Sequence, residues 1–320
     1  MVKIKAAKEK EVKSPLTWGR FKRQSAKYWQ LYVLLLVPLG LLLLFSYWPM
    51  YGLQLAFKDF YPRRGIWGSP WVGLTNFKNF LSSFQFAKVM RNTLTISTTT
   101  LIIGFPMPIL LALGLNELAS KKYKKVVQSA TFFPYFVSII VLIGLMWQLL
   151  DVRIGPINAL LRAIGGESAV TNFRASPNWV VPLYVITSIW QNTGYSAVVY
   201  LAALSGISIE LQEAAIIDGA SKVQKIWHIN LPGIKNTAVV LFILSLSNIV
   251  GVGFEKVFAM QNPTNRAMAD VLSTYIYSMG VTSGDFAYAT AVGLFNSLIT
   301  FALVFTSNAI SRKVNETSLW

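Results

Sequence analysis

The stretch that decides the fold of this chain reads Glu213-Ala214-Ala215-Ile216-Ile217-Asp218-Gly219-Ala220 and is followed by Ile229-Asn230-Leu231-Pro232. It lies between two long runs that contain no Asp, Glu, Lys or Arg, residues 175–209 and 236–254. Runs of this length and apolarity predict helices that cross a membrane. The polar stretch between them is therefore predicted to be a loop at one face of the membrane.

The first half of this loop has the signals of a short helix. Ser208 is a good N-cap, and Glu210 and Glu213 then lie near the positive end of the helix dipole. Gly219 follows as a stop signal that tolerates a positive φ.

A second helix is predicted after the glycine, because Ser221 and Gln224 have the spacing of a capping box. We expect Pro232 to end this second helix before the next span. Ala214 and Ala215, one turn before the glycine, add no bulk. The pattern therefore predicts two short helices joined at a glycine, forming a small knob that another protein's cleft accepts.

This pattern resembles the EAA loop of ABC importer permeases: Glu-Ala-Ala, a glycine four residues on, and Ile-x-Leu-Pro about ten residues later. The extended form, with "IWHINLP" after it, is similar to the carbohydrate-uptake branch, the maltose-type and polysaccharide permeases. The resemblance implies that the loop is a coupling helix that docks on a separate ATPase. The residues that it assigns to coupling are Glu213, Ala214, Ala215, Asp218, Gly219, Leu231 and Pro232. The alternative is an amphipathic loop that packs only against its own bundle.

Composition agrees with a membrane protein. Of 320 residues 54% are hydrophobic and 13% charged, and the mean hydropathy is +0.49, which is too apolar for a soluble globule. The net charge of +16 would suggest a nucleic-acid partner in a soluble chain, but here it reflects sidedness, so no nucleic-acid partner is expected. Without cysteine, neither disulfides nor thiolate metal sites are possible.

Six windows without charged residues predict an all-α polytopic protein, since each can cross a hydrocarbon core of about 30 Å. The resemblance implies the type I ABC importer permease fold, with an N-terminal elbow helix. The predicted spans are approximately 31–50, 92–116, 126–150, 178–204, 236–257 and 286–311.

Three regions are predicted around these spans. Residues 1–29 form a basic tail whose aromatic spacing over 16–28 favours an interfacial elbow helix, with a disordered tail as the alternative for the first 14 residues. Residues 30–311 form the transmembrane permease domain, which includes the coupling loop 205–235. Residues 312–320 form a C-terminal tail.

Charge distribution predicts the orientation. The segments 1–29, 117–125, 205–235 and 312–320 carry 18 of the 29 Lys and Arg. By the positive-inside rule both termini and the coupling loop are predicted to be cytoplasmic. The protein is then a multi-pass protein of a bacterial cytoplasmic (inner) membrane.

Prolines inside the spans predict bends, because backbone groups cannot be left bare in lipid. Pro106 and Pro108 lie in the second span and Pro134 in the third. A further run, residues 270–284, is too short to cross and is predicted to lie as an outer helix.

Two classes of energy coupling are constrained by what the sequence lacks. It has no glycine-rich loop ending in Gly-Lys-Ser or Gly-Lys-Thr, so the chain is predicted not to be an enzyme, and ATP and Mg²⁺ are left to partner subunits. No ionisable residue lies near the centre of a span, which argues against the proton or sodium relay of a secondary carrier. This argument does not exclude sodium sites built from backbone carbonyls.

Neutral polar groups in the spans are candidates for a sugar pathway. Gln191, Asn192 and Tyr195 lie in the fourth span, Asn248 in the fifth and Asn296 in the sixth. Amides and hydroxyls match sugar hydroxyls, and aromatic rings match sugar C–H faces. The alternative is that these groups hold helices together within the bundle.

The sequence is thus interpreted as a transmembrane subunit of an ATP-driven importer for an oligosaccharide or polysaccharide fragment, working by alternating access. The resemblance implies a second homologous permease subunit, two ATPase subunits and an extracytoplasmic solute-binding protein. Ten Lys and Arg in the outer segments suit an acidic substrate such as alginate or another uronate, or they pair with nearby acids or with the binding protein. The alternatives are a permease for amino acids, peptides or phosphate, and a secondary carrier or channel without ATPases.

Overall fold

The computed structural model describes residues 27–246 and 249–315, with the side chains of 313–315 left out. The predicted elbow helix, Asn248 and most of both tails lie outside these residues. Within the described part there is no β-strand, only an isolated antiparallel bridge between Lys58 and Trp71. The prediction of an all-α membrane protein is confirmed.

The helices, numbered here in chain order, account for most of the described chain. They are α1 Trp29–Leu42, α2 Gly65–Gly68, α3 Thr75–Ser82, α4 Phe84–Gly104, α5 Pro106–Asn116, α6 Lys121–Phe132, α7 Ile139–Leu149, α8 Pro156–Gly165, α9 Val180–Ser205, α10 Ile209–Ile217, α11 Lys222–Lys225, α12 Leu231–Leu246, α13 Phe254–Met260, α14 Arg266–Ala269, α15 Leu272–Tyr277 and α16 Phe286–Asn315.

Four helical segments of the described chain are long and apolar enough to cross a membrane: 29–57, 84–116, 222–246 and 286–312. Two bent pairs qualify as further spans if each pair is counted as one. The predicted number of six is reached with both pairs.

The third predicted span, 126–150, is broken rather than continuous. α6 and α7 meet at 101° across a 3₁₀ turn at Phe133–Phe136. Pro134 lacks the N–H that would continue the ladder, and the Ser138 hydroxyl accepts the N–H of Val141 at 3.3 Å to start α7. The predicted bend at Pro134 is present, and because a new helix starts at the Ser138 cap, the chain turns by about a right angle there.

The predicted bounds of the fifth span are wrong at both ends. The helix begins at Lys222, passes through a π-helical turn at Ile226–Asn230 and continues through Pro232 to Leu246. The π turn shifts the hydrogen-bond partners by one residue, so Pro232 is accommodated instead of ending the helix. Residues 249–253 then form bends and extended chain containing two glycines, and α13 is a separate short helix that lies outside the spans.

The predicted outer helix over 270–284 is present as α15 followed by a π turn at Ser278–Thr282. It is not among the segments long enough to span. The prediction of a short helix is therefore confirmed.

α9 is the central helix, and it packs against α4, α5, α6 and α12. Ala197 and Tyr200 of α9 pack with Leu113 of α5 and Ile234 of α12 in one apolar cluster. Other clusters join α4, α7, α9 and α13, and α3, α4, α15 and α16. A bundle centred on α9 places whatever α9 carries next to most of the other helices.

One end of the bundle is held by side-chain amides and one ion pair. The Asn92 Nδ2 donates to the carbonyls of Ala267 at 2.9 Å and Asp270 at 3.0 Å, and Lys88 pairs with the Asp270 carboxylate at 3.3 Å. At the same end of the bundle, the Asn262 Nδ2 donates to the carbonyl of Arg174 at 2.7 Å. We call this the amide end; the loop between α9 and α12 lies at the opposite end.

Residues 27–54 belong to a compact unit of their own, separate from residues 55–315. They run as α1, a π turn at Leu43–Tyr47 and the beginning of a 3₁₀ stretch from Trp48. α1 is apolar all round and has no buried residue. A helix that is apolar all round is typical of a membrane span.

Candidate functional site

The loop between α9 and α12 has the predicted local structure. The Ser208 hydroxyl accepts the N–H of Glu210 at 3.2 Å and caps α10. α10 ends in a glycine turn: Gly219 has φ +76°, and the N–H of Ala220 reaches back to the carbonyl of Ala215 at 2.9 Å. A positive φ there is the conformation that favours glycine.

The second half of the loop is a capping box that leads into a long helix. The N–H of Gln224 donates to the Ser221 hydroxyl at 3.3 Å, and the N–H of Ser221 donates to the Gln224 side-chain oxygen at 2.7 Å. The prediction of two separate short helices is wrong in one respect, since α11 runs directly on into the span ending at Leu246. The loop is therefore continuous with a helix of the bundle.

The loop presents a small, mixed surface. Glu213, Ala214, Asp218 and Gly219 are exposed, and the neighbouring Ile217 is 85% exposed. Ile209, Leu211 and Ile216 of the same short helix are exposed as well, and several exposed apolar side chains on one element are typical of a contact surface.

The motif residues outside α10 and its turn lie differently. Ala215 is half-buried and lines a shallow cleft of about 240 Å³ with Asp218 and His228. Leu231 is turned inward onto the cluster around Tyr200, whereas Pro232 is exposed. The motif thus divides into an exposed part on α10 and its turn and an anchoring part on α12.

A polar network that the sequence did not suggest holds the loop to the end of α5. Asn230 is fully buried; its Nδ2 donates to Glu117 Oε1 at 3.1 Å and its Oδ1 accepts from Gln212 Nε2 at 2.7 Å. Lys225 Nζ lies 3.8 Å from Glu117 Oε2. One amide therefore joins α10, the π turn and the α5 end.

A cavity of about 530 Å³ lies against the centre of α9. Its wall comes from α4, α5, α9, α12 and residues 249–252, and the described residues that line it include no Asp, Glu, Lys, Arg or His. Hydroxyls, one amide and tyrosine rings supply its polar and aromatic groups. These are Ser97, Thr100, Tyr184, Ser188, Asn192, Thr193, Tyr195, Ser196, Tyr200 and Ser245.

The predicted pathway residues divide between wall and bundle. Asn192 and Tyr195 line the cavity. Gln191 does not: its side chain is buried and its Nε2 donates to the carbonyl of Val137 at 2.9 Å. Asn296 is also outside the lining, and its buried Oδ1 has no partner among the described residues. Asn248 lies outside the described residues.

The Gln191 result has a simple geometric cause. On α9 the Gln191 side chain points about 100° away from that of Asn192, towards the broken span. Val137 follows the break between α6 and α7, where its carbonyl has lost its helical partner. Gln191 supplies that partner, which is the helix-joining role left open for it by the sequence.

Tyr195 is positioned by aromatic stacking on the broken span. Its ring lies nearly parallel to that of Tyr135, with centroids 4.0 Å apart, and also stacks on Phe132 at 5.8 Å. The Tyr195 side chain remains 45% exposed. It can offer an aromatic face to a sugar ring.

Gly194 makes this arrangement possible. A Cβ placed on Gly194 would lie 2.0 Å from the carbonyl oxygen of Thr131. α9 and α6 therefore approach backbone to backbone, as small residues allow in membrane bundles.

Basic side chains in the segments predicted to be outer are mostly unpaired with acids. Among the described residues, only Lys88 and Arg162 of the ten form ion pairs, Arg162 with Glu167 at 2.6 Å. Three acids in the same segments serve local turns instead. Asp59 accepts from the Tyr61 hydroxyl, Asp151 from the N–H groups of Arg153 and Ile154, and Asp285 from the N–H of Tyr288.

Comparison with known proteins gives consistent matches. The family described as "Binding-protein-dependent transport system inner membrane component" matches residues 104–316. Protein LplB of Bacillus subtilis (strain 168) is 40% identical over 290 residues, covering 91% of this chain and 91% of that protein. The polygalacturonan/rhamnogalacturonan transport system permease protein YteP of the same organism is also 40% identical over 290 residues, covering 91% of this chain and 90% of that protein.

Solved structures agree with the sequence relatives. A chain of a bacterial alginate ABC transporter, in complex with an alginate pentasaccharide-bound periplasmic protein, matches with a TM-score of 0.84 and 38% identity. The match covers 94% of this chain and 100% of that chain. The likeness therefore extends over nearly the whole fold.

Proposed function

The chain belongs to the family of binding-protein-dependent transport system inner membrane components, and from that premise we propose that it is the permease subunit of an ATP-driven importer for an acidic oligosaccharide. The family makes it a non-catalytic, multi-helix inner-membrane subunit of a sugar ABC transporter. The proposal concerns the substrate, the partners and the residues that couple them.

One geometric observation carries the proposal. The exposed loop around Gly219 is continuous with both α9 and α12, and these two helices contribute to the wall of the neutral polar cavity. A movement imposed on the loop must therefore reach the cavity directly. That is the connection an importer needs between an energy source at one face and a substrate in the bundle.

The energy source in this proposal is a pair of separate ATPase subunits. The exposed residues Glu213, Ala214, Asp218 and Gly219 would enter a cleft on an ATPase, with half-buried Ala215 behind them. Leu231 and Pro232 would act from the other side, by fixing the start of α12. ATP and Mg²⁺ would be bound by the ATPases, since this sequence has no phosphate-binding loop.

The remaining partners follow from the family. A second permease subunit, identical or homologous, would cover apolar faces that this chain leaves open. An extracytoplasmic solute-binding protein would deliver the sugar at the amide end. Both termini and the coupling loop would be cytoplasmic, as the distribution of Lys and Arg favours.

The substrate class is supported by two relatives of different kinds. One is named for polygalacturonan and rhamnogalacturonan, and a solved neighbour is described as importing the acidic polysaccharide alginate. Polygalacturonan and alginate are both polymers of uronic acids. We therefore propose uronate oligosaccharides as the substrate.

The pathway would follow the cavity wall, with Asn192 and Tyr195 in contact with the sugar. Gln191 and Asn296 would support the helices instead, and Asn248, which follows α12 in the sequence, stays a candidate. Import would proceed by alternating access, as ATPase closure moves the loop and the loop rocks α9 and α12 about the sugar.

The test is reconstitution of the complete complex with its ATPases and binding protein in proteoliposomes. We expect ATP-dependent accumulation of trigalacturonate or trimannuronate. Uptake that needs no ATP, or that follows an imposed ion gradient, would contradict the proposal and favour a secondary carrier. Accumulation of neutral oligosaccharides alone would contradict the substrate class.

A coupling variant separates transport from sugar capture. Glu213→Lys reverses a charge on the exposed face of α10 and should abolish stimulated ATP hydrolysis and uptake together. The binding protein should still bind its sugar, because the change lies on another polypeptide. Normal uptake by this variant would remove Glu213 from the coupling surface.

A further inference from the structure

Lys256 is a buried cation beside the cavity. It lies on α13 and is 4% exposed. Its Nζ donates to the Ser188 hydroxyl at 2.7 Å and lies 4.8 Å from the centroid of the Tyr184 ring. No carboxylate lies within 4.0 Å of it among the described residues, so the charge has no acidic partner in this part of the chain.

A cation in this position is costly unless something compensates it. One hydroxyl and one ring face replace only part of the hydration that an ammonium loses on burial. Burial accordingly lowers the pKa of Lys256 to about 7. An anion placed nearby would favour the charged form and raise the pKa again.

The cavity is the place from which an anion can approach. Ser188 and Tyr184, the two groups that contact Lys256, both line it. The Ser188 oxygen accepts from Lys256, so its own O–H is left to point elsewhere, and no hydrogen bond from it to the described residues is formed. A hydroxyl that accepts from an ammonium becomes a stronger donor.

The other described residues that line the wall include no charged side chain that could do the same. Asn192 and the serine and threonine hydroxyls suit neutral sugar hydroxyls. Ser97, also in the wall, has a buried hydroxyl oxygen without a partner among the described residues. The Lys256–Ser188 pair is therefore the feature of this wall that distinguishes a uronate from a neutral hexose.

Resting on the proposed function, we propose that Ser188 and Lys256 together form a carboxylate subsite, in which the Ser188 O–H donates to a uronate carboxylate and Lys256 supplies the positive charge behind it. The subsite sets specificity within the permease itself, after the binding protein has released the sugar.

Lys58 offers a matched control. It is also buried, at 2% exposed, and also lies over an aromatic ring, that of Trp71 at 4.6 Å. Its Nζ, however, donates to the Ile66 carbonyl at 2.6 Å, and it does not line or adjoin the cavity residues. Its charge is used within the loop between the first and second spans.

The experiment compares trigalacturonate with its trimethyl ester, which has the same rings without the charge. Equilibrium binding to the purified permease–ATPase complex, without the binding protein, gives the affinity ratio for the two probes. Hydrogen bonds to charged groups correspond to roughly a 10-fold or larger preference for the acid. We expect that preference in the wild type, in Lys256→Arg and in Lys58→Met.

In Lys256→Met and in Ser188→Ala the ratio should fall towards one through weaker binding of the acid, while the ester binds as before. Ser188→Ala removes a single oxygen, so it provides the test if Lys256→Met does not fold. A ratio near one in the wild type, or an unchanged ratio in the variants, overturns the subsite. If the wild-type complex also accumulates neither uronate in proteoliposomes, the proposed function fails as well; accumulation with a ratio near one leaves that function standing and removes only the subsite.

Discussion

Substitution of Gly219 tests whether the backbone conformation of the turn after α10, and not only its residue composition, is needed for stimulation of the partner ATPases. Its φ of +76° lies in the left-handed region, which costs an ordinary L-residue about 1–2 kcal/mol. An added Cβ would meet nothing within 4 Å in this chain, so the internal cost is the backbone term alone. A cost of that size lowers the ratio of correctly formed turn to other conformations by a factor of roughly 5–30.

The series Gly219→Asn, Gly219→Ala and Gly219→Val separates backbone from bulk. Asn tolerates the left-handed region best among non-glycine residues, and a β-branched residue tolerates it least. We expect ATPase stimulation by liganded binding protein to fall in the order Gly, Asn, Ala, Val, with stimulation and uptake lost together in Val. The assay is ATP hydrolysis by the reconstituted complex with and without liganded binding protein.

Two results would refute this reasoning in different ways. Full stimulation in Gly219→Val would show that the turn is not part of the coupling element. Equal damage from Asn and Val would show that the ATPase surface excludes any side chain, and the backbone argument would then be wrong.

Three further predictions concern stability and topology. Gly194→Ala should lower the free energy of unfolding of the purified complex by about 1–3 kcal/mol, because the added Cβ would overlap the α6 backbone. Gly144→Ala is the control, since its Cβ would meet nothing within 4 Å, and it should leave the melting temperature unchanged. Equal effects of the two changes would show that α9 and α6 do not approach as closely as described. Asn230→Ala should cost about 1–3 kcal/mol by leaving buried partners unsatisfied, and an unchanged melting temperature would dismiss the network as a contributor. A cysteine in Asn172→Cys should react with an impermeant thiol reagent in intact cells and one in Lys122→Cys should not; labelling of the second would contradict the orientation.

Local signals in the sequence predicted the coupling loop well. The Ser208 cap, the Gly219 turn and the Ser221–Gln224 box are each decided by contacts within about four residues, and a pattern of that length is fully visible in a sequence. Pro232 misled because its usual effect presumes a regular α-helix before it. The π turn that accommodates it ends at Asn230, whose Nδ2 donates to Glu117 at the end of α5, a contact between residues far apart in the sequence.

The cavity was harder to predict because its members meet only through tertiary packing. Asn192 and Tyr195 line it, whereas their neighbour Gln191 binds a backbone carbonyl in the bundle. Neither periodicity nor composition could predict this difference. Lys256 was counted as one more outer cation, since nothing in its own segment shows that α13 folds back onto α9.

The corner in the third span has a consequence for building hybrid permeases. The Gln191 Nε2 donates to the Val137 carbonyl at the break in the third span, and Gly194, which has no Cβ, leaves room for the Thr131 carbonyl. Segment 121–149 and α9 should therefore be exchanged together. A chimera that takes one of them from a relative without the other would inherit either an unmatched carbonyl in the membrane or a blocked contact, whereas moving both should preserve insertion and allow substrate preference to be transplanted.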